Sequence, residues 1–153
     1  MKYLDTSAFV KQYRDKEEGS GIVQQLINDA RDGKEQIMSS FLMVGETISV
    51  FDKWARYNYI SSDECAELVK KFLKDIKELT DKEILVLESV STSTIANCLD
   101  LITKYHLSIN DAIHLYTALG NNTLIDMFIC SDDMLMKAAE KEGFTILNPE
   151  KEA

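Results

Sequence analysis

Short apolar runs alternate with longer amphipathic segments along the whole chain. Five runs are only a few residues long and mostly apolar, which predicts short strands covered on both faces. These runs are residues 2–4, 36–38, 84–87, 127–130 and 144–147. Because no polar position alternates with the apolar ones, the pattern favours a parallel sheet over an antiparallel sheet with one wet face.

Six longer segments have the periodicity of helices. Ser61 and Glu64 have the spacing of a capping box, and Gly143 supplies a helix stop. The segments are residues 22–31, 41–57, 62–79, 92–105, 109–119 and 133–142. In the fourth segment, an i, i+3, i+4, i+7 stripe predicts the core-facing side: Ile95, Cys98, Leu99 and Ile102.

The order of these elements predicts a three-layer α/β fold, in which helices cover both faces of a parallel five-stranded sheet. A chain of 153 residues fits one domain, residues 1–153. We find no internal repeat, and the only proline is Pro149, so nothing resembles a linker between domains.

The composition indicates where in the cell the protein is located. The longest stretch with few charges, residues 39–51, is shorter than the ~20 apolar residues of a membrane span, and Glu46 interrupts it. The first residues enter a strand pattern without a basic leader, so we expect a soluble protein with neither signal peptide nor anchor. Three widely spaced cysteines, Cys65, Cys98 and Cys130, indicate neither a disulfide framework nor a zinc site. A reducing cytoplasm is the simplest location.

The net charge is −9, from 26 acidic and 17 basic side chains, which argues against a broad basic surface for nucleic acid. Solubility alone explains an acidic surplus. Alternatively, some acids are gathered in one place to hold a divalent cation. Only their positions separate these two interpretations.

Two acids follow predicted strands. Asp5 ends the first strand and Asp132 ends the fourth. The loops at the carboxyl ends of parallel strands converge on one crevice, so these carboxylates can meet there. The competing interpretation is a turn residue for Asp5 and a helix N-cap for Asp132, a role that Asp fills well.

Two further acids lie on predicted helices. Glu46 is the only charge in FLMVGETISVF, and its apolar neighbours make a carboxylate costly unless something compensates it. Asp111 stands three residues after Ser108 in a helix that is apolar on most sides, so its alternative role is that of a capping residue. The alternative for Glu46 is a charge facing water, since the predicted core stripe of its helix lies elsewhere: Val44, Ile48, Phe51 and Ala55.

Four carboxylates in one cleft would repel each other. A hard divalent cation that prefers oxygen ligands, such as Mg²⁺ or Mn²⁺, makes such a cluster tolerable. The sequence therefore favours the chemistry of metal-assisted phosphoryl transfer.

The sequence resembles the PIN-domain family, and within it the VapC-like toxin ribonucleases of type II toxin–antitoxin systems. The stretches that carry the resemblance span nearly the whole chain in the family's order: YLDTSAFVK, SSFLMVGETISVF, LSINDAIHLYTAL, ICSDDMLMKAA and GFTILNP. The resemblance implies a sheet order of 3-2-1-4-5 and frequent homodimers.

The resemblance also implies roles for individual residues. The family's acidic quartet falls on four positions: Asp5, Glu46, Asp111 and Asp132. Asp5 and Asp111 are then the first choice as direct metal ligands, and the other two ligate directly or through water. The supporting positions are Thr6, Ser7 and Ser131, while Asp133 takes the variable place of SD-x-x-L and ranks below its neighbour.

The implied reaction is hydrolysis of an RNA phosphodiester by water that one or two Mg²⁺ ions activate. Two basic groups could meet the phosphates or simply form solvated helix faces: Lys11, Arg14 and Lys16 in one, Lys53 and Arg56 in the other. The implied partners are RNA and an antitoxin whose Arg or Lys side chains enter the acidic cleft.

Other functions remain open or are excluded. A haloacid-dehalogenase-like phosphatase needs D-x-D after its first strand, and position 7 is Ser. His106 and His114 have no acid–nucleophile context, so surface or packing roles are predicted for both. Two alternatives stay open: a non-catalytic PIN-like binding or scaffold module, and a stand-alone RNA-processing nuclease without an antitoxin.

Overall fold

The structure is a computed structural model that describes residues 1–14 and 17–151. Five parallel strands form one sheet in the order β3-β2-β1-β4-β5, as the resemblance implied. The strands are β1 (Lys2–Leu4), β2 (Ile37–Ser40), β3 (Leu85–Glu88), β4 (Met127–Ile129) and β5 (Ile146–Leu147). The ends of each predicted strand lie within two residues of the ends of the strand in the structure.

The helices alternate with these strands along the chain. They are α1 (Thr6–Phe9), α2 (Ser20–Arg31), α3 (Leu42–Arg56), α4 (Ser62–Asp81), α5 (Thr92–Asn97), α6 (Leu99–Tyr105), α7 (Ile109–Leu119) and α8 (Asp133–Lys141), with a 3₁₀ turn at Val10–Tyr13. The capping box of Ser61 and Glu64 opens α4 as predicted. Gly143 follows α8 with φ of 97°, a conformation that suits glycine at a helix end.

The strands separate two apolar layers because successive side chains point to opposite faces. Leu4 packs with buried residues of α1 to α4, whereas Tyr3 packs with buried residues of α6 to α8. The sheet is therefore covered on both faces, which explains the apolar character of its strands. Among the described residues, no helix combines the length and apolar composition that a membrane crossing requires.

Two predicted core stripes were only partly right, because Cys98 and Phe51 are buried and other members are not. The segment 92–105 is two helices, α5 and α6, and its buried side chains are Cys98 and Leu101, while Ile95 and Leu99 are exposed. In α3 the buried residues are Met43, Thr47, Phe51 and Trp54, of which the predicted stripe contained only Phe51. Both segments are apolar on more than one side, so periodicity did not decide which side faces the sheet.

Candidate metal and nuclease site

Asp5 lies at the carboxyl edge of the sheet, directly after β1. Its carboxylate accepts hydrogen bonds from the backbone N–H of Ala8 at 2.9 Å and from the Ser7 hydroxyl at 2.8 and 2.9 Å. Only 4% of Asp5 is exposed. Burial raises its pKa, although the nearby His114 ring and the Ala8 N–H act in the opposite direction. Asp5 is thus a fixed carboxylate whose charge is incompletely compensated.

The pairing of β1 with β4 brings a second element to Asp5. Leu4 is in register with Ile129, so the residues after each strand also meet. The thiol of Cys130 donates to Asp5 Oδ2 at 3.1 Å, and the Ser131 N–H donates to the Ser7 oxygen at 2.9 Å. The hydroxyl of Ser131 is buried and has no hydrogen-bond partner among the described residues. A polar atom of this kind is available to a ligand or a water molecule.

Glu46 reaches the same region from the first half of α3. Its carboxylate accepts hydrogen bonds from the Thr6 hydroxyl, from His114 Nε2 at 2.9 Å and from the Asn110 side chain at 2.9 Å. Burial raises the pKa of Glu46, but the hydrogen bonds from His114 and Thr6 outweigh it, and the net shift is downward. Glu46 is therefore held as a carboxylate rather than facing water.

His114 is the residue of this site that sequence reasoning missed. It is 2% exposed, which agrees with a packing role, but its ring also lines the pocket and contacts Glu46. The backbone N–H of Ser40 donates to the Tyr3 hydroxyl at 3.2 Å, and that hydroxyl lies 2.9 Å from His114 Nδ1. Tyr3 thus contacts one ring nitrogen of His114 and Glu46 contacts the other, which fixes the orientation of the ring.

A sequence signal for His114 existed. It stands three residues after Asp111 and four after Asn110 on α7, so the three side chains share one side of that helix. The sequence alone therefore shows a candidate ligand and a histidine on one side of a helix. The apolar character of the rest of this helix favoured a packing role for the histidine instead.

Asp111 and Asp132 combine capping with exposure to the pocket. Asp111 accepts a hydrogen bond from the Ser108 hydroxyl at 2.7 Å in the first turn of α7. Asp132 is the N-cap of α8, and its Oδ1 accepts from the N–H groups of Met134 and Leu135 at 2.9 and 2.8 Å. The capping roles considered from sequence are real, and both acids still line the pocket.

One open pocket of about 730 Å³ collects the predicted residues. Its wall includes the whole predicted quartet and both hydroxyls that follow the first acid: Asp5, Thr6, Ser7, Glu46, Asp111 and Asp132. Asp133 lies outside it, since it lines a separate surface pocket and its carboxylate pairs with Lys151 at 3.2 Å. Ser131 contributes through its N–H to Ser7.

The donor set of the pocket suits a hard cation. Carboxylate and hydroxyl oxygens are the ligands that Mg²⁺ and Mn²⁺ prefer, and the pocket wall holds both kinds. Within residues 1–14 and 17–151, no three acid, His or Cys side chains are already close enough to hold one ion together. The oxygens suit a divalent cation by their chemistry and share one pocket, but the described side chains do not converge on one point.

The basic residues considered for phosphate contacts lie in different places in the structure. Lys11 is 1% exposed and pairs with Glu150 at 2.7 Å and Glu17 at 3.3 Å, so it forms neither a solvated face nor a phosphate contact. Lys53 and Arg56 line the acidic pocket. Lys16, predicted with the first group, lies outside the described residues.

The family model described as "PIN domain" matches residues 2–141. The chain belongs to the PIN-domain family. Its sheet order is that of a PIN domain, as the sequence resemblance indicated.

A solved structure has the same fold as this PIN domain. VapC20 of Mycobacterium tuberculosis, described as a sarcin-ricin loop cleaving toxin, superposes with a TM-score of 0.63. The match covers 95% of this chain and 97% of VapC20, with 17% sequence identity. A search of curated protein sequences found no match.

Proposed function

We propose that this PIN domain is a ribonuclease that hydrolyses RNA phosphodiester bonds with the help of Mg²⁺ or Mn²⁺. The observation that supports the proposal is the convergence of four carboxylates, from two strand ends and two helices, on one pocket. A ligand-binding module gains nothing from gathering like charges unless a cation or a cationic partner joins them. Metal-assisted hydrolysis uses such a set directly.

The proposed roles of the four acids follow from their surroundings. Asp5 and Asp111 would hold the metal, with Glu46 and Asp132 completing the oxygen set directly or through water. A bound Mg²⁺ supplies a water of lowered pKa and positive charge beside the reacting phosphate. Ser7 fixes both oxygens of Asp5.

Glu46 is held from three sides. Thr6 and His114 donate to one of its oxygens and Asn110 to the other, so its carboxylate has one orientation. A fixed carboxylate loses little freedom when a substrate or metal arrives. Thr6 and Ser131 would orient water or a phosphate oxygen at the pocket.

The test is cleavage of an end-labelled mixture of RNAs by the purified protein with Mg²⁺, with Mn²⁺ and with EDTA. The Asp5→Asn and Asp111→Asn variants are compared with Asp100→Asn, an exposed acid on α6 that does not line the pocket. We expect metal-dependent cleavage by the wild type and the control only. No cleavage by folded wild type with either metal would favour the non-catalytic binding module.

We further propose that the protein is the toxin of a toxin–antitoxin pair and acts in the cytoplasm as a homodimer. The family membership and the VapC20 fold support this, and the acidic pocket suits an antitoxin segment with Arg or Lys. Expression in growing cells should arrest growth, Asp5→Asn should not, and co-expression of a short neighbouring gene product should restore growth. Cleavage without growth arrest would instead indicate a stand-alone RNA-processing nuclease. Sedimentation measures the oligomeric state.

A further inference from the structure

The second half of α3 extends the wall of the acidic pocket. Glu46, Ser49, Lys53 and Arg56 line the pocket along one side of this helix. Tyr57 follows Lys53 by four residues, so it continues the same side at the helix end. The rise of 1.5 Å per residue places Tyr57 about 16 Å along the axis from Glu46. A strand of a few nucleotides spans this length.

Two tyrosines are exposed beside each other at the end of α3. Tyr57 is 61% exposed and Tyr59 is 66% exposed, and their ring centroids are 6.3 Å apart with an interplanar angle of 36°. Asn58 between them has φ of 59°, a left-handed conformation that Asn tolerates. The N–H of Tyr59 then donates to the carbonyl of Trp54 at 2.9 Å. The backbone therefore fixes the turn that brings the two rings together.

Arg14 supports one ring of this pair, that of Tyr59. Its guanidinium lies 5.2 Å from the ring centroid of Trp54 and 5.5 Å from that of Tyr59. Trp54 is only 9% exposed and belongs to the core, so Arg14 connects the exposed Tyr59 to a rigid part of the molecule. The exposed rings are thus a supported surface with a positive charge next to it.

Two cations lie between the acids and the tyrosines. Lys53 forms no ion pair within the part of the chain that the structure describes. Arg56 pairs with the exposed Asp52 at 2.8 Å, a surface contact that costs little to exchange. In a chain with a net charge of −9, cations in the wall of the acidic pocket are well placed for phosphates.

We propose that Tyr57 and Tyr59 form a base-stacking platform for single-stranded RNA, and that Lys53 and Arg56 contact the phosphates between the platform and the pocket. This inference rests on the proposed ribonuclease function and specifies its substrate class. Aromatic side chains bind unpaired bases by stacking, whereas a duplex hides the faces of its bases. The neighbouring cations favour RNA over a protein partner, because they supply the phosphate contacts that stacked nucleotides need.

Binding is measured by fluorescence anisotropy with labelled RNA of about twelve nucleotides. Three probes are used: a single-stranded RNA, its duplex, and an abasic strand of the same length. Every protein carries Asp111→Asn so that the RNA stays intact, and titrations are run with Mg²⁺ and with EDTA. The variants are the double substitution Tyr57→Leu with Tyr59→Leu, and its matched counterpart Tyr57→Phe with Tyr59→Phe.

The leucine pair should weaken binding of the single strand by about five-fold to a hundred-fold, the range for loss of base stacking. It should leave the weaker binding of the abasic strand unchanged, and the phenylalanine pair should restore binding because it keeps both rings. Lys53→Gln should weaken binding of both strands and reduce the salt slope by about 0.7. Lys70→Gln, an exposed lysine on α4, is its control.

The outcomes separate this inference from the function on which it rests. Equal affinity of the leucine pair and the parent protein for the single strand overturns the platform, and the ribonuclease stands if the wild type still cleaves RNA. No binding of any RNA in either buffer also overturns the platform. A leucine pair that changes sedimentation but not RNA affinity shows a protein interface there and overturns it as well. Absence of cleavage by the wild type, together with absence of RNA binding by the Asp111→Asn parent, overturns both proposals.

Discussion

His114 Nε2 lies 2.9 Å from Glu46 Oε2 in the wall of the acidic pocket. The same histidine is fixed on its other side by the Tyr3 hydroxyl at 2.9 Å. A buried residue of β1 therefore sets the orientation of a histidine on α7, and that histidine sets the orientation of a carboxylate on α3. The position of Glu46 depends on three separate elements of the chain.

Replacement of this histidine should affect the reaction more than the fold. His114→Gln should lower kcat for RNA cleavage by about 10-fold to 100-fold, with a smaller change in KM, because residues that orient ligands have effects of this size. Steady-state cleavage with Mg²⁺ measures both constants. His106→Asn is the control, since His106 is exposed and has φ of 57°, which Asn tolerates. An unchanged kcat in a folded His114→Gln variant would exclude the orienting role.

Neighbouring acids at the start of α8 should behave differently. Asp132→Asn keeps an N-cap residue of nearly equal quality, so its free energy of unfolding should change by less than about 0.5 kcal/mol while cleavage is lost. Asp133→Asn should retain cleavage, because that side chain faces another pocket. Urea unfolding and the RNA assay measure the two properties. Loss of cleavage in Asp133→Asn alone would reverse the assignment.

A surface cluster should give the protein part of its resistance to acid. Hydrogen bonds from Lys104 at 2.8 Å and Tyr105 at 2.6 Å lower the pKa of Glu142 from its ordinary 4.5. Because the folded-state pKa lies below the unfolded-state value, the contribution is present above pH 4.5 and is lost as the pH falls through the folded-state pKa.

Glu142→Gln should therefore be less stable than wild type at pH 7 and similar to it in strong acid. The difference at pH 7 should stay below about 1 kcal/mol, since Lys104 is largely exposed. Urea unfolding at pH 7 and pH 3 measures it, and Glu140→Gln serves as the control on the same helix. A difference that is equal at both pH values would mean that ionisation of Glu142 contributes nothing.

Gly19 should be required for seating the C-terminal segment. Its φ is +80°, and an added Cβ would come within 2.6 Å of the Pro149 carbonyl. Gly33 has a similar φ of +76° but open space around it. Gly33→Ala should therefore cost only the backbone penalty of about 1–2 kcal/mol, and Gly19→Ala should cost more because Pro149 must also move. Thermal or urea unfolding of both variants measures the difference, and equal losses would show that the contact with Pro149 is unimportant.

Much of the fold was predictable because local physics fixes it. Short apolar runs gave the five strands, and Ser61 with Glu64 gave the start of α4, since capping involves residues three positions apart. The buried side of α3 was not predictable in the same way. Val44 and Met43 are equally apolar, and only the sheet beneath the helix selects Met43 for the core.

The candidate site was likewise predictable where local sequence decides and unpredictable where helix packing decides. The sequence by itself determined which acids follow strands or interrupt apolar helices, because charge and periodicity are properties of the chain. Only the tertiary structure decided that Asp132 faces the pocket while Asp133 pairs with Lys151, and that His114 holds Glu46. Those contacts join residues 18 to 68 positions apart. Their geometry depends on how helices pack on the sheet, and a local pattern holds no information about that packing.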